Sequence, residues 1–304
     1  MTLADQHVPV LTWTEPEGIA CRGTLVVIPG RGEQPAHYER FGRRVAADGY
    51  RVHAVTDPTA DPALTVSQVS DHLAGPGAPG PRVLAGSDTG ALFAAGLAAS
   101  GQFPGLDALV LAGLPTAEAY ASPGSWNQEL DVRTACPAHR ARLSGPGLRR
   151  GALYEPVPDG WAEWADLGSV TQPILGLHGA DDPVSPLPAA RARYAAAPAA
   201  ELVSITGGRH DTLNDVTHRT VAATIVLFLE RLRLGAELPR IAIRERIDRA
   251  VALQLDLGFV PGFGVPHGFG PGLGVPLAPG SVVTAALPLG LLRRDALGGP
   301  RGPC

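Results

Sequence analysis

Apolar positions along the chain follow two patterns. Short runs rich in valine, isoleucine and leucine recur at TLVVI (24–28), RVHAV (51–55), RVLA (82–85), DALVLA (107–112), PILGLH (173–178) and ELVSI (201–205). Between them lie stretches in which apolar side chains return every three or four positions. The runs are apolar on both faces, as strands must be when helices cover each side of a parallel sheet. QPAHYERFGRRVAADGY puts Phe41, Val45 and Ala46 on one stripe and predicts a helix that stops at Gly49. DVTHRTVAATIVLFLERLR aligns Val221, Ile225, Phe228, Leu229 and Leu232 and predicts a second helix, capped by Asp215 or Thr217. Ahead of the first run, VPVLTWTEPEGIACRG reads as two antiparallel strands around a turn. The expected fold is α/β, a mostly parallel sheet with an antiparallel start, filling residues 1–238.

Two stretches break the alternation. Residues 116–170 separate two strands by far more than a crossover needs, and they hold Trp126, Trp161, Trp164, Tyr120 and Tyr154. They predict a small cap over a pocket for a small to medium, partly apolar molecule. Residues 239–304 begin as a short helical extension and pass into VPGFGVPHGFGPGLGVP and similar text. Glycine and proline at that density neither continue a helix nor fill a sheet, so a disordered tail is expected.

Composition narrows the function classes. With 45% hydrophobic residues in 304, the chain can bury a sizeable core. A formal net charge of −4, with no basic run longer than an Arg pair, argues against nucleic acid and against an anionic membrane surface as partners. All 25 basic residues are arginine, which together with abundant Ala, Gly and Pro fits GC-rich coding better than a function. Cys21, Cys136 and Cys304 have no metal-ligand spacing and suit a reducing compartment. The first residues lack the pattern of a signal peptide, and SVVTAALPLGLL is too short, and broken by Pro288, to span a bilayer. A cytoplasmic protein without metal or cofactor is expected.

The chemistry is concentrated in a few loops that follow strands. LAGSDTGA (84–91) has the outline of a strained strand-to-helix turn that presents a nucleophile, and such a turn needs small residues two before and two after the active position. Asp88 has Gly86 and Gly90 there; Ser87 has Ala85 and the β-branched Thr89. The count favours Asp88, with Ser87 as the alternative nucleophile. A third reading makes Asp88 merely the cap of a helix that starts near Thr89.

Together with VIPGRGEQ (27–34), LHGADDPVSP (177–186) and ITGGRHDTLND (205–215), this turn resembles the α/β-hydrolase fold over residues 20–235, in that family's order of nucleophile, acid and histidine. The resemblance implies Asp182 as the acid, with Asp181 beside it open to either role, and His210 as the histidine. His178 and His218 read as structural. It also implies an oxyanion hole made by the backbone N–H groups of Arg31 and Thr89. Arg31 departs from the small or apolar residue common there; its side chain either meets an anionic substrate group or points to solvent, and solvent is the expectation. The body of the chain is similar to serine esterases and lysophospholipases, whereas an aspartate at the elbow is similar to epoxide hydrolases. Three functions follow. One is an epoxide-hydrolase-like enzyme in which Asp88 forms an alkyl ester, His210 activates water, and Tyr120 or Tyr154 supplies a proton. The second is a serine esterase, lysophospholipase or thioesterase that uses Ser87. The third is a hydrolase-like binding protein without catalysis. Thr89, where haloalkane dehalogenases carry tryptophan, argues against that chemistry.

Overall fold

A computed structural model describes residues 9–75, 77–116 and 125–243. Seven strands form one sheet: β1 (Leu11–Trp13), β2 (Thr24–Ile28), β3 (Arg51–Ala54), β4 (Arg82–Ser87), β5 (Ala108–Ala112), β6 (Ile174–Gly179) and β7 (Ala200–Ile205), in the order β1-β3-β2-β4-β5-β6-β7. All neighbours pair parallel except β1, which runs antiparallel to β3 with Thr12 opposite His53. The expected hairpin does not form: β1 finds its partner some forty positions downstream, and the residues that would have paired with it locally carry no strand. The six predicted parallel strands all form within two residues of their expected ends.

The inner strands are buried on both faces, and the pleat sorts their side chains. Leu25, Val27, Val83, Ala85, Val110 and Leu177 point into a core shared with α1 (Glu39–Ala47) and α8 (His218–Arg233). Val26, Ile28, Leu84, Leu109 and Leu111 point into the opposite core with α2 (Pro62–Leu73), α3 (Thr89–Ala99) and α7 (Leu187–Tyr194). Helix α3 is apolar around its whole circumference and buried from Thr89 to Ala98. The predicted stripes of α1 and α8 both face the core. The cap of α8 falls on one of the two expected residues. Thr217 takes the capping position without a side-chain bond, while the Asp215 carboxylate binds the Thr134 hydroxyl and the N–H groups of Ala135 and Arg209. His218, read from the sequence as a surface or partly buried helix residue, is buried.

Between β5 and β6 lie α4 (Trp126–Arg133), α5 (Pro137–Leu143) and α6 (Trp161–Trp164), with single 3-10 turns at Ala152–Tyr154 and Leu167–Ser169. Helix α6 rests on α3. The Phe93 ring lies 4.9 Å from that of Trp161 and 5.2 Å from that of Trp164, and Gly96 leaves the space that the Trp164 ring fills. Tyr120 and the tail from 244 onward lie outside the described residues. Among the described residues no helix is long and apolar enough to cross a membrane.

Candidate functional site

The sheet order reverses between β2 and β4: the chain leaves β2 for β3 on one side, then returns to build β4 to β7 on the other. Crevices in open α/β sheets form at such a point, beyond the carboxyl ends of the strands. The loop after β2 (29–34) and the turn after β4 meet there. The loops after β6 and β7 carry Asp182 and His210 toward the same end of the sheet.

At the turn, Asp88 holds φ 50° and ψ −125°, a conformation that L residues adopt at a cost of roughly 1–3 kcal/mol. Its neighbours explain how the turn is tolerated. A Cβ on Gly86 would collide with the carbonyl of Gly90, and one on Gly90 with that of Ile28. The strained residue is therefore Asp88, and Ser87 is the last residue of β4, opposite Ala112. The Ser87 hydroxyl meets the phenol of Tyr38. Tyr38 in turn donates to Glu33 and accepts from the Gly30 N–H.

His210 joins two carboxylates. Its Nδ1 bonds Asp182 Oδ2 at 2.9 Å, and its Nε2 lies 3.3 Å from Asp88 Oδ1, at an angle that falls outside hydrogen-bond geometry. Asp182 is fixed by the N–H groups of Val184 and Ser185, and His178, itself bonded to the Ser185 carbonyl, stands 3.3 Å from it. Asp181 is exposed and takes no part. The structure thus brings Asp88, His210 and Asp182 together, each buried.

Arg31 is the departure. Instead of reaching solvent, it is buried and clamps the Asp88 carboxylate. Nη2 bonds Oδ1 at 2.8 Å, while Nε at 2.8 Å and the backbone N–H at 3.1 Å both bond Oδ2. Its remaining Nη1 donates to the Glu155 carbonyl. The reason it turns inward is electrostatic: a buried carboxylate demands a counter-charge, and a guanidinium matches it bidentately. A carboxylate offers about four lone-pair sites. In this state Arg31 takes three, and His210 faces the fourth. Thr89 opens α3 beside the carboxylate, and its N–H is one of the unpaired donors of the helix start.

These charges set the protonation states. Burial would raise the Asp88 carboxyl, but Arg31 and His210 overcome it and hold Asp88 well below the ordinary carboxylate range. Asp182 is lowered as well: its burial is outweighed by the charge and hydrogen bond of His210. For His210, burial is outweighed by Asp182 and Asp88, and its pKa is pushed up to about 10.

Sequence reasoning did not find the layer beneath. Arg133, at the end of α4, is fully buried and pairs with Glu33 and Glu129 at 3.1 Å and Asp211 at 3.7 Å. It also donates to the Arg31 carbonyl. Asp211 is pushed up to about 6 by burial, against the pull of Arg133, and lies 3.2 Å from His139. No local pattern marks such a residue. Beyond Glu129 on its own helix, its partners come from two loops, after β2 and after β7, that meet only in the folded chain.

Above Arg31 opens a pocket of about 370 Å³, walled by Leu92, Pro115, Leu153, Pro156, Val157 and Val184, with Tyr154, Thr116 and Arg193 among its polar residues. Asp88 and His210 do not line it; Arg31 stands between them and the pocket. The expected tryptophan lining is absent: Trp161 and Trp164 border an outer groove with Phe93 and Leu97. Among the described residues no cluster of His, Cys, Asp and Glu could hold a metal ion.

No family model and no curated protein matches the chain. Among solved structures it is similar to the monoacylglycerol lipase of Paleococcus ferrophilus, with a TM-score of 0.57 and 16% identity over 74% of this chain and 98% of that one. A soluble variant of the monoglyceride lipase of Saccharomyces cerevisiae gives a TM-score of 0.57 and 17% identity over 73% of this chain and 91% of that one. A meta-cleavage product hydrolase from Pseudomonas fluorescens gives 0.54 and 15%, over 73% and 93%. What these neighbours share with the chain is the fold, a mostly parallel sheet flanked by helices, and on that ground the chain has the α/β-hydrolase fold.

Proposed function

We propose that this chain is a hydrolase whose nucleophile is the Asp88 carboxylate, with His210 as the base of the second step and Asp182 as its orienting partner. The observation that carries this reading is the strained elbow at Asp88, with its carboxylate 3.3 Å from a histidine that Asp182 holds by the other ring nitrogen. The hydrolase names of its structural neighbours agree with it.

An ionised carboxylate needs no base to attack a saturated carbon. An oxygen of Asp88 forms a bond to that carbon as the bond to the leaving group breaks, and Arg31 must first withdraw one of its N–H groups. The resulting ester is neutral. His210 then loses one of the two anions that hold its proton and faces an Arg31 without its counter-charge, so its pKa falls and it becomes a base when the ester needs one. It takes a proton from water, whose oxygen bonds to the Asp88 carbonyl carbon. Negative charge develops on the carbonyl oxygen beside the N–H groups of Arg31 and Thr89, each donor worth about 3 kcal/mol. Collapse breaks the bond to the alcohol oxygen, which takes the proton held by His210 and leaves as the alcohol. The Asp88 carboxyl gives its remaining proton to solvent, which restores the carboxylate. If the leaving group is an epoxide oxygen, Tyr154, which lines the pocket, would protonate it. Tyr154→Phe would then slow ring opening about a hundredfold and leave hydrolysis of an alkyl ester of the same size unchanged.

A second reading rests on the Arg31 clamp. A carboxylate with its lone pairs engaged and no surface on the pocket is also what a hydrolase-like binding protein would keep. The Ser87 esterase has less support, since that hydroxyl lies on the strand beside Tyr38.

Single turnover in heavy-oxygen water, with a panel of epoxides, alkyl esters and thioesters, separates the three. The expected result is label in the Asp88 peptide and no turnover by Asp88→Asn. Turnover without label would sink the mechanism. A fluorophosphonate adduct on Ser87 would establish the esterase. Neither signal, with ligand binding unchanged in Asp88→Ala and His210→Ala, would leave the binding protein.

A further inference from the structure

The pocket above Arg31 is lined by two guanidinium groups in different electrostatic situations. Arg31 is neutralised by Asp88 at 2.8 Å. Arg193, near the end of α7, is not. Among the described residues no carboxylate lies within ion-pair distance of it, and its contacts are neutral: Nη1 donates to the Pro115 carbonyl at 3.2 Å and Nη2 to the Ala165 carbonyl at 3.1 Å. The nearby Asp166 carboxylate is engaged elsewhere, on the Gly168 N–H and the Ser169 hydroxyl. A guanidinium carries five N–H donors, so three of those on Arg193 are uncommitted.

A second, independent feature stands next to it. Thr116 follows the residue whose carbonyl Arg193 grips, and it lines the same pocket. Its hydroxyl is buried with no hydrogen-bond partner among the described residues, an arrangement that costs about 1–3 kcal/mol unless a ligand completes it. The rest of the lining is mainly apolar, Leu92, Leu153, Pro156 and Val157 among it, and also holds Tyr154, Ser185 and Glu155, whose carboxylate is paired with Arg149.

We propose that Arg193 and Thr116 form an anion-binding subsite, and that the pocket takes a small organic carboxylate with its carboxylate on these two side chains and its apolar body against the walls. The inference rests on reading this pocket as the entrance to Asp88, and it names the class of molecule that enters. One unpaired guanidinium and one hydroxyl suit a monoanion; a phosphate monoester would bring a second charge, and the other guanidinium in the pocket lining, Arg31, is already paired with Asp88. Burial holds the Arg193 guanidinium below the usual arginine range, and an arriving anion reverses that penalty.

The test is a binding measurement, which turnover does not enter. Hexanoate, hexanamide and hexyl phosphate are titrated calorimetrically into the full chain at low and high salt. Hexanoate should bind at least tenfold more tightly than the isosteric amide, weaken as salt rises, and outcompete the phosphate. Arg193→Gln should lower hexanoate affinity tenfold or more and leave hexanamide within twofold. Arg193→Lys should recover part of the loss. Because Arg193 also ties the Pro115 loop to α6, unfolding of Arg193→Gln is checked by circular dichroism. Thr116→Val, which keeps shape and loses only the hydroxyl, should by itself weaken hexanoate several-fold. Equal binding of acid and amide, tighter binding of the phosphate, or an unchanged hexanoate affinity in both Thr116→Val and a folded Arg193 variant overturns the proposal. Failure of heavy-oxygen labelling at Asp88 would remove the mechanism and leave this binding result standing.

Discussion

The floor and the walls of the pocket are built on opposite principles. Beneath Arg31, within the reach of a few side chains, lie the buried charges of Asp88, Asp182, Glu33, Glu129, Asp211 and Arg133, with His210 among them. Above it the walls are mainly leucine, proline and valine. The two cores on the sheet faces are apolar throughout. Among the described residues, buried carboxylates and guanidiniums thus gather in one layer at the carboxyl ends of the strands. A carboxylate in such a layer is held by its neighbours more strongly than by water, and the same neighbours decide when it can react. Arg31 belongs to both regions. It closes the layer and forms part of the pocket, so any substrate that reaches Asp88 must first change what Arg31 is doing.

The comparison is broken most directly by removing the charge that holds the floor together. Arg133→Met fits the volume but strands Glu33, Glu129 and Asp211, and breaking a buried network in this way costs about 3–5 kcal/mol. Leu109→Ala in the apolar core costs a similar amount, about 2–5 kcal/mol, for a different reason, the cavity it leaves. Urea unfolding at several pH values separates the two. The Leu109→Ala loss should be the same at each pH. The Arg133→Met loss should shrink as pH falls through about 6, where Asp211 takes up its proton and no longer needs the guanidinium. Equal pH dependence would mean that the floor is wetter than its burial implies.

A smaller effect comes from His210. Its folded pKa, about 10, stands above the value near 6.5 of an unfolded histidine, so the stabilisation is complete below pH 6.5 and is lost as pH rises toward 10. Asp57 and Asp211, both pushed up to about 6 by burial, act at lower pH: their folded forms prefer the proton, and they cost stability as pH rises from about 4 to 6. The window from 6.5 to 10 therefore belongs to His210. Unfolding free energy should fall by about 1–3 kcal/mol between pH 7 and 9.5, and the slope should vanish in His210→Asn. A slope that survives in the variant would assign it to another group.

How far the sequence could be read divides along the same line. The strands were legible because each is a continuous apolar run, and α1 and α8 because their stripes face one core. The elbow was legible because its strain requires glycine at 86 and 90, a local demand written in local residues. Asp182 and His210 came from their place after strands, through a family resemblance. The side chain of Arg31 was not legible. In the sequence it stands in a polar loop and reads as solvated, and only the folded chain puts a buried carboxylate beside it, 57 positions away. Arg133 was hidden for the same reason. On α4 its neighbours suggest an ordinary exposed pair with Glu129, and the burial comes from the Arg31 and His210 loops closing over it. The partner of β1 was likewise a matter of tertiary pairing, which the local turn signal concealed.

The tryptophans give the smallest effect and the finest distinction. Aromatic residues in the cap suggested a pocket lined by tryptophan, yet Trp161 and Trp164 lean on Phe93 and border a groove on the outer side of α6. Their work is to anchor α6 on α3, and the pocket takes its apolar character from Leu92, Leu153 and Val157 instead. Trp161→Leu keeps part of the buried area and removes the ring contact with Phe93, at a cost of about 1–2 kcal/mol. Hexanoate affinity in that variant should stay within twofold of the parent, whereas Leu153→Ala, which opens the wall itself, should weaken it more while Phe93 and the tryptophans are untouched. Ala162 of α6 already lines the pocket. If Trp161→Leu instead weakened binding as much as Leu153→Ala, the tryptophans would shape the pocket wall as well, and the division between a charged floor, an apolar wall and an outer aromatic anchor would have to be redrawn with the groove included.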